Sequence, residues 1–335
     1  MTDLRDDLQT ALGTAYRIEQ ELGGGGMSRV FLAEEVALGR KVVIKVLPPE
    51  MVSGVNQDRF RREIQLAARL QHPHIVPLLA AGATGDLLWY AMPFIEGESL
   101  RVRLARQGDL PVKDSIQILR EIADALSYAH AQGVVHRDIK PDNILVSGRH
   151  VMVTDFGVAK AVSESGGQSL TSLGVALGTP AYMAPEQASA DPHVDHRADI
   201  YALGAMAYEM LCGQPPFTGP NPQAILAAHV MQTPATVSSA RPAVSAALNA
   251  VIMRCLEKRP SDRWQTAEEL SSQFDTLLTP SGGMTPTGAT APVSSGTEAA
   301  IKRAHPVRVA VLFAIASAVV LSLVWLMVHR LGLPD

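Results

Sequence analysis

Cysteine is almost missing from this sequence. The two that occur, Cys212 and Cys255, lie inside apolar stretches, and neither belongs to a CxxC pair or a Cys/His cluster with zinc-like spacing. Both are expected to be buried, reduced thiols, which suits a reducing, cytoplasmic compartment. A basic excess is missing too. With 29 Lys and Arg against 33 Asp and Glu, the formal charge of -4 gives a general nucleic-acid binder no source for its phosphate contacts. The first twenty residues carry Asp3, Asp6 and Asp7 and no continuous apolar core, so a cleaved leader is not expected. There is no internal repeat and no bias toward a fibrous or disordered class. At 47% apolar and 19% charged, the 335 residues suffice for one large domain or two ordinary ones with a substantial core.

What is present is arranged unevenly. After Leu278 the composition turns to Pro, Gly, Ser and Thr through residues 279–299, the pattern of a flexible linker. Beyond it, residues 309–328 carry no charge. As a helix rising 1.5 Å per residue, a run of that length spans a hydrocarbon core of about 30 Å. A transmembrane helix is expected there, with a buried core helix or a docking tail as the competing readings. Lys302, Arg303 and Arg308 precede the run and only Arg330 follows it, so the N-terminal part is expected on the cytoplasmic side of the plasma (inner) membrane. Residues 329–335 would then form an extracytoplasmic tail too short for a folded sensor. The basic cluster within the 279–308 linker and juxtamembrane segment suits anionic lipid headgroups, though a solvated flank explains it equally.

Residues 16–22, 30–35 and 40–47 read as strands, rich in β-branched residues and closed by Pro48 and Pro49. Later the period changes. Ile118, Ile122 and Leu126 recur at helical spacing, and residues 199–212 are apolar almost all round, as in a helix buried at the centre of a domain. A strand-rich start followed by a helical bulk implies an α+β, two-lobed domain.

Chemistry-bearing residues fall at several points of this frame. Gly23, Gly24, Gly25 and Gly26 stand between two expected strands, where backbone amides can approach phosphate oxygens, although a loose turn has the same composition. The GK[ST] ending of a P-loop is absent. Lys45 lies on an alternating strand, and Glu63 borders the apolar stripe Phe60, Ile64, Ala67 and Leu70 of an expected helix. A carboxylate held there needs a partner, and Lys45 is a suitable one. Downstream, His136-Arg137-Asp138-Ile139-Lys140-Pro141-Asp142-Asn143 and Asp155-Phe156-Gly157 flank a short connection between apolar strands. Asn143 and Asp155 offer the hard oxygens magnesium prefers, and Asp138 offers a carboxylate to take a hydroxyl proton.

On these motifs, residues 16–278 resemble the eukaryotic-type (Hanks-type) serine/threonine protein kinases of bacteria, with a small lobe over about 16–95, a large lobe over about 96–278, and 1–15 as an extension. The resemblance implies the two-lobed kinase fold and the γ-phosphoryl transfer of that family. In that template Gly23, Gly24, Gly25 and Gly26 cover the ATP phosphates, Lys45 contacts them and pairs with Glu63, and Asp138 positions the substrate hydroxyl. Asn143 and Asp155 hold magnesium, with manganese as a substitute. The nucleotide pocket is expected to take in Leu22, Val30, Val43 and Leu145, Met92 as gatekeeper, and Phe94 and Ile95 of a hinge. Lys140 and the run Gly178-Thr179-Pro180-Ala181-Tyr182 before Ala184-Pro185-Glu186 match serine/threonine rather than tyrosine kinases. By the same resemblance Lys140 and Thr179 contact the catalytic aspartate or the transferred phosphate, Glu186 pairs with Arg263, and Asp199 and Gly204 mark the family's buried helix.

Between Gly157 and Ala184 lies a polar stretch with Ser169, Thr171 and Ser172. By the rule the resemblance implies, a phosphate on Thr171, or less readily on Ser172, would pair with Arg137 and order the site. Protein substrates bearing Ser or Thr, and a homodimer for trans-autophosphorylation, are the implied partners. Two departures from the family pattern stand out: Ser28 replaces the third loop glycine, and Val43 replaces the alanine that usually faces adenine. They motivate the competing reading of a pseudokinase scaffold without turnover. A small-molecule phosphotransferase is a third reading, disfavoured by the long segment ending in the GTPxY and APE elements.

Overall fold

Val42, Ile44 and Val46 alternate along one strand and are all fully buried, while the residues between them face the other way. That alternation gives the first part of the chain a sheet with two covered faces. The computed structural model describes residues 4–25, 28–47, 57–84, 87–157 and 180–279. Strands β1 (Tyr16–Gly25), β2 (Ser28–Glu35), β3 (Arg40–Leu47), β4 (Ala80–Thr84) and β5 (Leu87–Pro93) pair antiparallel in the order β1-β2-β3-β5-β4. The inner face packs Leu47, Leu88, Tyr90 and Met92 against Phe60 and Ile64 of α2 (Gln57–Ala67). On the outer face, Phe31, Val42, Ile44 and Val46 receive Leu8 and Leu12 of α1 (Leu4–Leu12).

Two features differ from the sequence expectation. Residues 4–12, within the stretch assigned only as an extension, form a helix, because Leu4, Leu8 and Leu12 share one helical face. Gln9 fastens that helix to the edge strand β1: its side chain accepts from Ile18 N at 2.9 Å and donates to Tyr16 O at 2.9 Å. The second difference is that the glycines do not simply separate two strands. Gly23, Gly24 and Gly25 belong to β1, opposite Val30, Arg29 and Ser28. Gly26 lies outside the described residues.

The remaining chain is mostly helical. After the short strand β6 (Glu98–Ser99) come α3 (Leu100–Gln107) and α4 (Val112–Ala131), then the hairpin β7 (Ile144–Ser147) and β8 (His150–Val153). Helices α5 (Pro185–Ala188), α6 (Arg197–Cys212), α7 (Pro222–Met231), α8 (Val237–Ala240), α9 (Ala246–Cys255) and α10 (Ala267–Leu278) complete it. Helix α6 is buried from Ala198 to Leu211. A Cβ on Gly204 would lie 2.5 Å from the Cβ of Cys255, so only glycine lets α6 and α9 approach this closely. Cys255 is buried as expected, whereas Cys212 is only half-buried, because it sits where α6 ends. The two lobes are joined behind α2, where Val76 N donates to Val153 O and Val153 N to His74 O, each at 2.9 Å.

Among the described residues no helix is long and apolar enough to cross a membrane, and residues 309–328 lie outside them. Thr171, Ser172 and Thr179 lie outside them as well.

The large lobe is locked by a buried ion pair. Arg263, with no exposure, donates to both oxygens of Glu186 at 2.6 and 2.7 Å, and to the carbonyls of Glu257, Arg197 and Lys258. Those five bonds use all the guanidinium N–H groups. Arg263→Met keeps the bulk and strands the Glu186 carboxylate. It should lower the unfolding free energy by about 3–5 kcal/mol, as for other broken buried pairs, measured by denaturant titration. A loss below about 1 kcal/mol, typical of an exposed pair, would contradict this.

Candidate active site

The chain leaves α4 at Ala131 and runs toward Asp138 along a backbone held by Asp199 in the first turn of α6. Asp199, 1% exposed, accepts from His136 N at 2.8 Å and Arg137 N at 2.7 Å, and lies 2.8 Å from His130 Nε2. Burial pushes its carboxyl up, but the His130 hydrogen bond and charge hold it below the usual carboxylate range. Arg137 has φ of 66°, a left-handed conformation costing a non-glycine residue about 1–2 kcal/mol. Hydrogen bonds to a charged acceptor at two successive amides offset that strain. The His136 ring lies edge-on to Phe156, with centroids 4.7 Å apart. Its Nε2 sits 2.7 Å from Thr154 O and its Nδ1 accepts from Asp138 N at 3.2 Å, an arrangement that assigns the proton to Nε2. One imidazole therefore ties the backbone of Asp138 to the residue before Asp155.

Asp138 is gripped from one side. Lys140 Nζ is 2.7 Å from its Oδ2, and Asn143 Nδ2 donates to the same oxygen at 3.1 Å and to the Asp138 carbonyl at 2.8 Å. Oδ1 carries no bond among the described residues. Burial raises the Asp138 carboxyl despite the lowering by the Lys140 charge and hydrogen bond and by Asn143, so this group is a better proton acceptor than an ordinary aspartate.

Asp155 follows β8 and also has φ of 66°. Lys45 Nζ lies 2.5 Å from its Oδ2 and Tyr90 Oη donates to its Oδ1 at 2.8 Å. Burial works against its charge, yet Lys45 and the Tyr90 hydroxyl hold the carboxyl below its usual value. Burial and the neighbouring Asp155 charge push the Tyr90 phenol well up, so it remains a donor. Gly157, at φ 75°, accepts a backbone that side chains rarely adopt, and a Cβ there would meet the Ala67 Cβ at 3.3 Å and the Glu63 carbonyl at 3.5 Å. Thus α2, which carries the half-buried Glu63, lies against this glycine.

Above these groups an apolar layer continues from the small lobe into β7. Val43, Ile95 and Leu145 pack against the cluster containing Met92. Val30 stands opposite both Gly23 and Lys45, while Leu22 and Phe94 stay exposed. These side chains form an apolar slot wall beside a glycine-bearing strand and a lysine. Its chemistry fits a nucleotide. The donor set also fits magnesium: Asp138 occupies the Asn143 amide nitrogen, which leaves the amide oxygen, and Asp155 supplies carboxylate oxygen. Among the described residues no three His, Cys, Asp or Glu side chains form a metal cluster, so waters and phosphates would complete the shell.

Lys45, Asp138, Lys140, Asn143 and Asp155 thus converge, with Arg137 and Asp199 behind them and Glu186 and Arg263 bracing α6. Sequence reasoning gave no role to Tyr90, or to a second buried network. In that network Arg101 on α3 donates to Glu209 at 2.7 Å and to the Tyr182 hydroxyl, which donates in turn to Glu209. The available signal was Glu209 itself, a carboxylate in the apolar run of α6 that follows Asp199.

Comparison with known proteins agrees with this geometry. The model of the family described as protein kinase domain matches residues 16–274. Serine/threonine-protein kinase PknB of Mycobacterium tuberculosis is 40% identical over 269 residues, covering 78% of this chain and 43% of that protein. PknE of the same organism is 40% identical over 265 residues, 78% of this chain and 46% of its own. Serine/threonine-protein kinase pkn2 of Myxococcus xanthus is 39% identical over 263 residues, 76% of this chain and 31% of its own. The chain therefore spans less than half the length of these relatives.

Proposed function

Since the chain belongs to the protein kinase family, we propose that it transfers the γ-phosphoryl group of ATP to Ser and Thr hydroxyls of proteins, its own among them. The observation that carries this reading is the contrast between two half-buried carboxylates. Asp138, raised and gripped through one oxygen, suits proton acceptance, while Asp155, lowered and tied to Lys45, suits a cation. The substrate hydroxyl attacks the γ-phosphorus, the bond from phosphorus to the β-phosphate oxygen breaks, ADP leaves, and Asp138 takes the hydroxyl proton. Lys140 steadies Asp138, and Lys45 is placed to pass from Asp155 to the nucleotide phosphates. Asn143 and Asp155 would hold magnesium, or manganese, whose positive charge would offset that of the phosphate oxygens. Val43 in the apolar slot narrows it relative to the family's alanine and weakens purine binding, without touching the groups that handle the proton.

Finer aspects of the reading rest on the sequence. Thr171, and secondarily Ser172, are proposed autophosphorylation sites whose phosphate pairs with Arg137. Residues 309–328 are proposed to anchor the chain in the inner membrane with the kinase domain cytoplasmic, on the strength of their length, lack of charge and basic flank. Confinement there raises effective concentration and favours trans-autophosphorylation within a homodimer.

The test is phosphate transfer from labelled ATP with magnesium to the chain and to a Ser/Thr-bearing protein. Asp138→Asn should lose about 10²–10⁴-fold in rate, and labelling equal to wild type would contradict the proposal. The pH profile supplies a second check. Asp138 acts when ionised, so the acid limb of kcat/KM should lie above an ordinary aspartate's range. Lys140→Met removes a cation that favours ionisation, and it should move that limb to still higher pH. An unmoved limb would assign the titration to another group.

A further inference from the structure

Each oxygen of the Asp155 carboxylate has its own donor, and the two donors are cross-strand neighbours. Lys45 on β3 stands directly opposite Tyr90 on β5, on the inner face of the sheet. The two differ in freedom. Lys45 ends a flexible stem, and the reading above moves it onto phosphate. Tyr90 cannot follow, because its ring, 2% exposed, is packed among Phe60 and Ile64 of α2 and Val76, Leu88 and Met92. Its hydroxyl, 2.8 Å from Asp155 Oδ1, is held in place by that packing rather than by Lys45.

We propose that Tyr90 is a positioning residue that fixes the direction of the Asp155 carboxylate for divalent metal, a role that rests on the kinase reading. A carboxylate oxygen has two lone pairs. Oδ1 can accept from Tyr90 and still leave Oδ2 and one lone pair of Oδ1 for a cation. Without the hydroxyl, the carboxylate turns toward Lys45 alone and must be reoriented whenever metal binds. The ring also sits on α2, so a shift of that helix reaches Asp155 through Tyr90 as well as through Gly157.

The full chain and its Tyr90→Phe variant, which keeps the ring, are titrated with ADP by calorimetry, in chelator and across a magnesium chloride series. The expected result is a magnesium midpoint about tenfold higher in the variant, within the range seen when a hydrogen bond to a ligating group is removed, with metal-free ADP affinity unchanged. In turnover, kcat should fall at low magnesium and recover toward wild type as magnesium is raised. Equal midpoints would overturn the proposal. So would a parallel loss of ADP affinity in chelator, which would mean that the hydroxyl supports the slot rather than the carboxylate. Wild-type ADP binding indifferent to magnesium would remove the kinase reading and this inference together.

Discussion

The carboxylate of Asp199 is the fixed point from which the site is suspended. It lies in the buried first turn of α6, where a charge persists only if donors surround it, and the donors are the amides of the segment that carries Asp138, together with His130. The first turn of α6 is itself pinned from below, since Arg263 bonds the Arg197 carbonyl while paired with Glu186. A continuous line of polar contacts therefore runs from α5, through Arg263 and α6, to the backbone of Arg137. From there His136 carries it to Thr154, and Asp155 carries it into the small lobe through Lys45 and Tyr90.

The same scaffold gives two aspartates opposite characters. Both are half-buried, and desolvation raises each; what separates them is the arrangement of cations and donors. Asp138 meets Lys140 and Asn143 at a single oxygen and retains a raised carboxyl. Asp155 is engaged at both oxygens and stays ionised. Two opposite electrostatic characters thus arise from one residue type.

How much of this was legible depended on distance along the chain. The segment from His136 to Asn143 and the triplet Asp155-Phe156-Gly157 are short, and their residue types are fixed by chemistry, so the sequence displayed them. Helix α6 was equally plain, because a helix buried on every side is apolar on every side. The pairing of Glu186 with Arg263 came only through the family resemblance, since no local pattern links residues 77 positions apart. Tyr90 was hidden for a related reason: in the apolar strand β5 a tyrosine reads as core, and only its partner 65 residues away reveals the hydroxyl's use. At α1, the spacing of Leu4, Leu8 and Leu12 was visible, but a nine-residue helix with charges between its leucines forms only against a sheet face, which the sequence does not display. Strand β1 ran on through its glycines because pairing with β2 outweighed their conformational freedom.

Amide hydrogen exchange at His136 and Arg137 tests the central claim most directly, with Asp199→Asn as the comparison. Hydrogen bonds to a charged acceptor contribute roughly 1.5–3 kcal/mol each, so the substitution should speed exchange at those two amides by about tenfold to a hundredfold and slow phosphate transfer, while amides of the β3–β5 ladder keep their protection. Unchanged exchange at both amides, with transfer at the wild-type rate, would show that the site does not depend on this carboxylate.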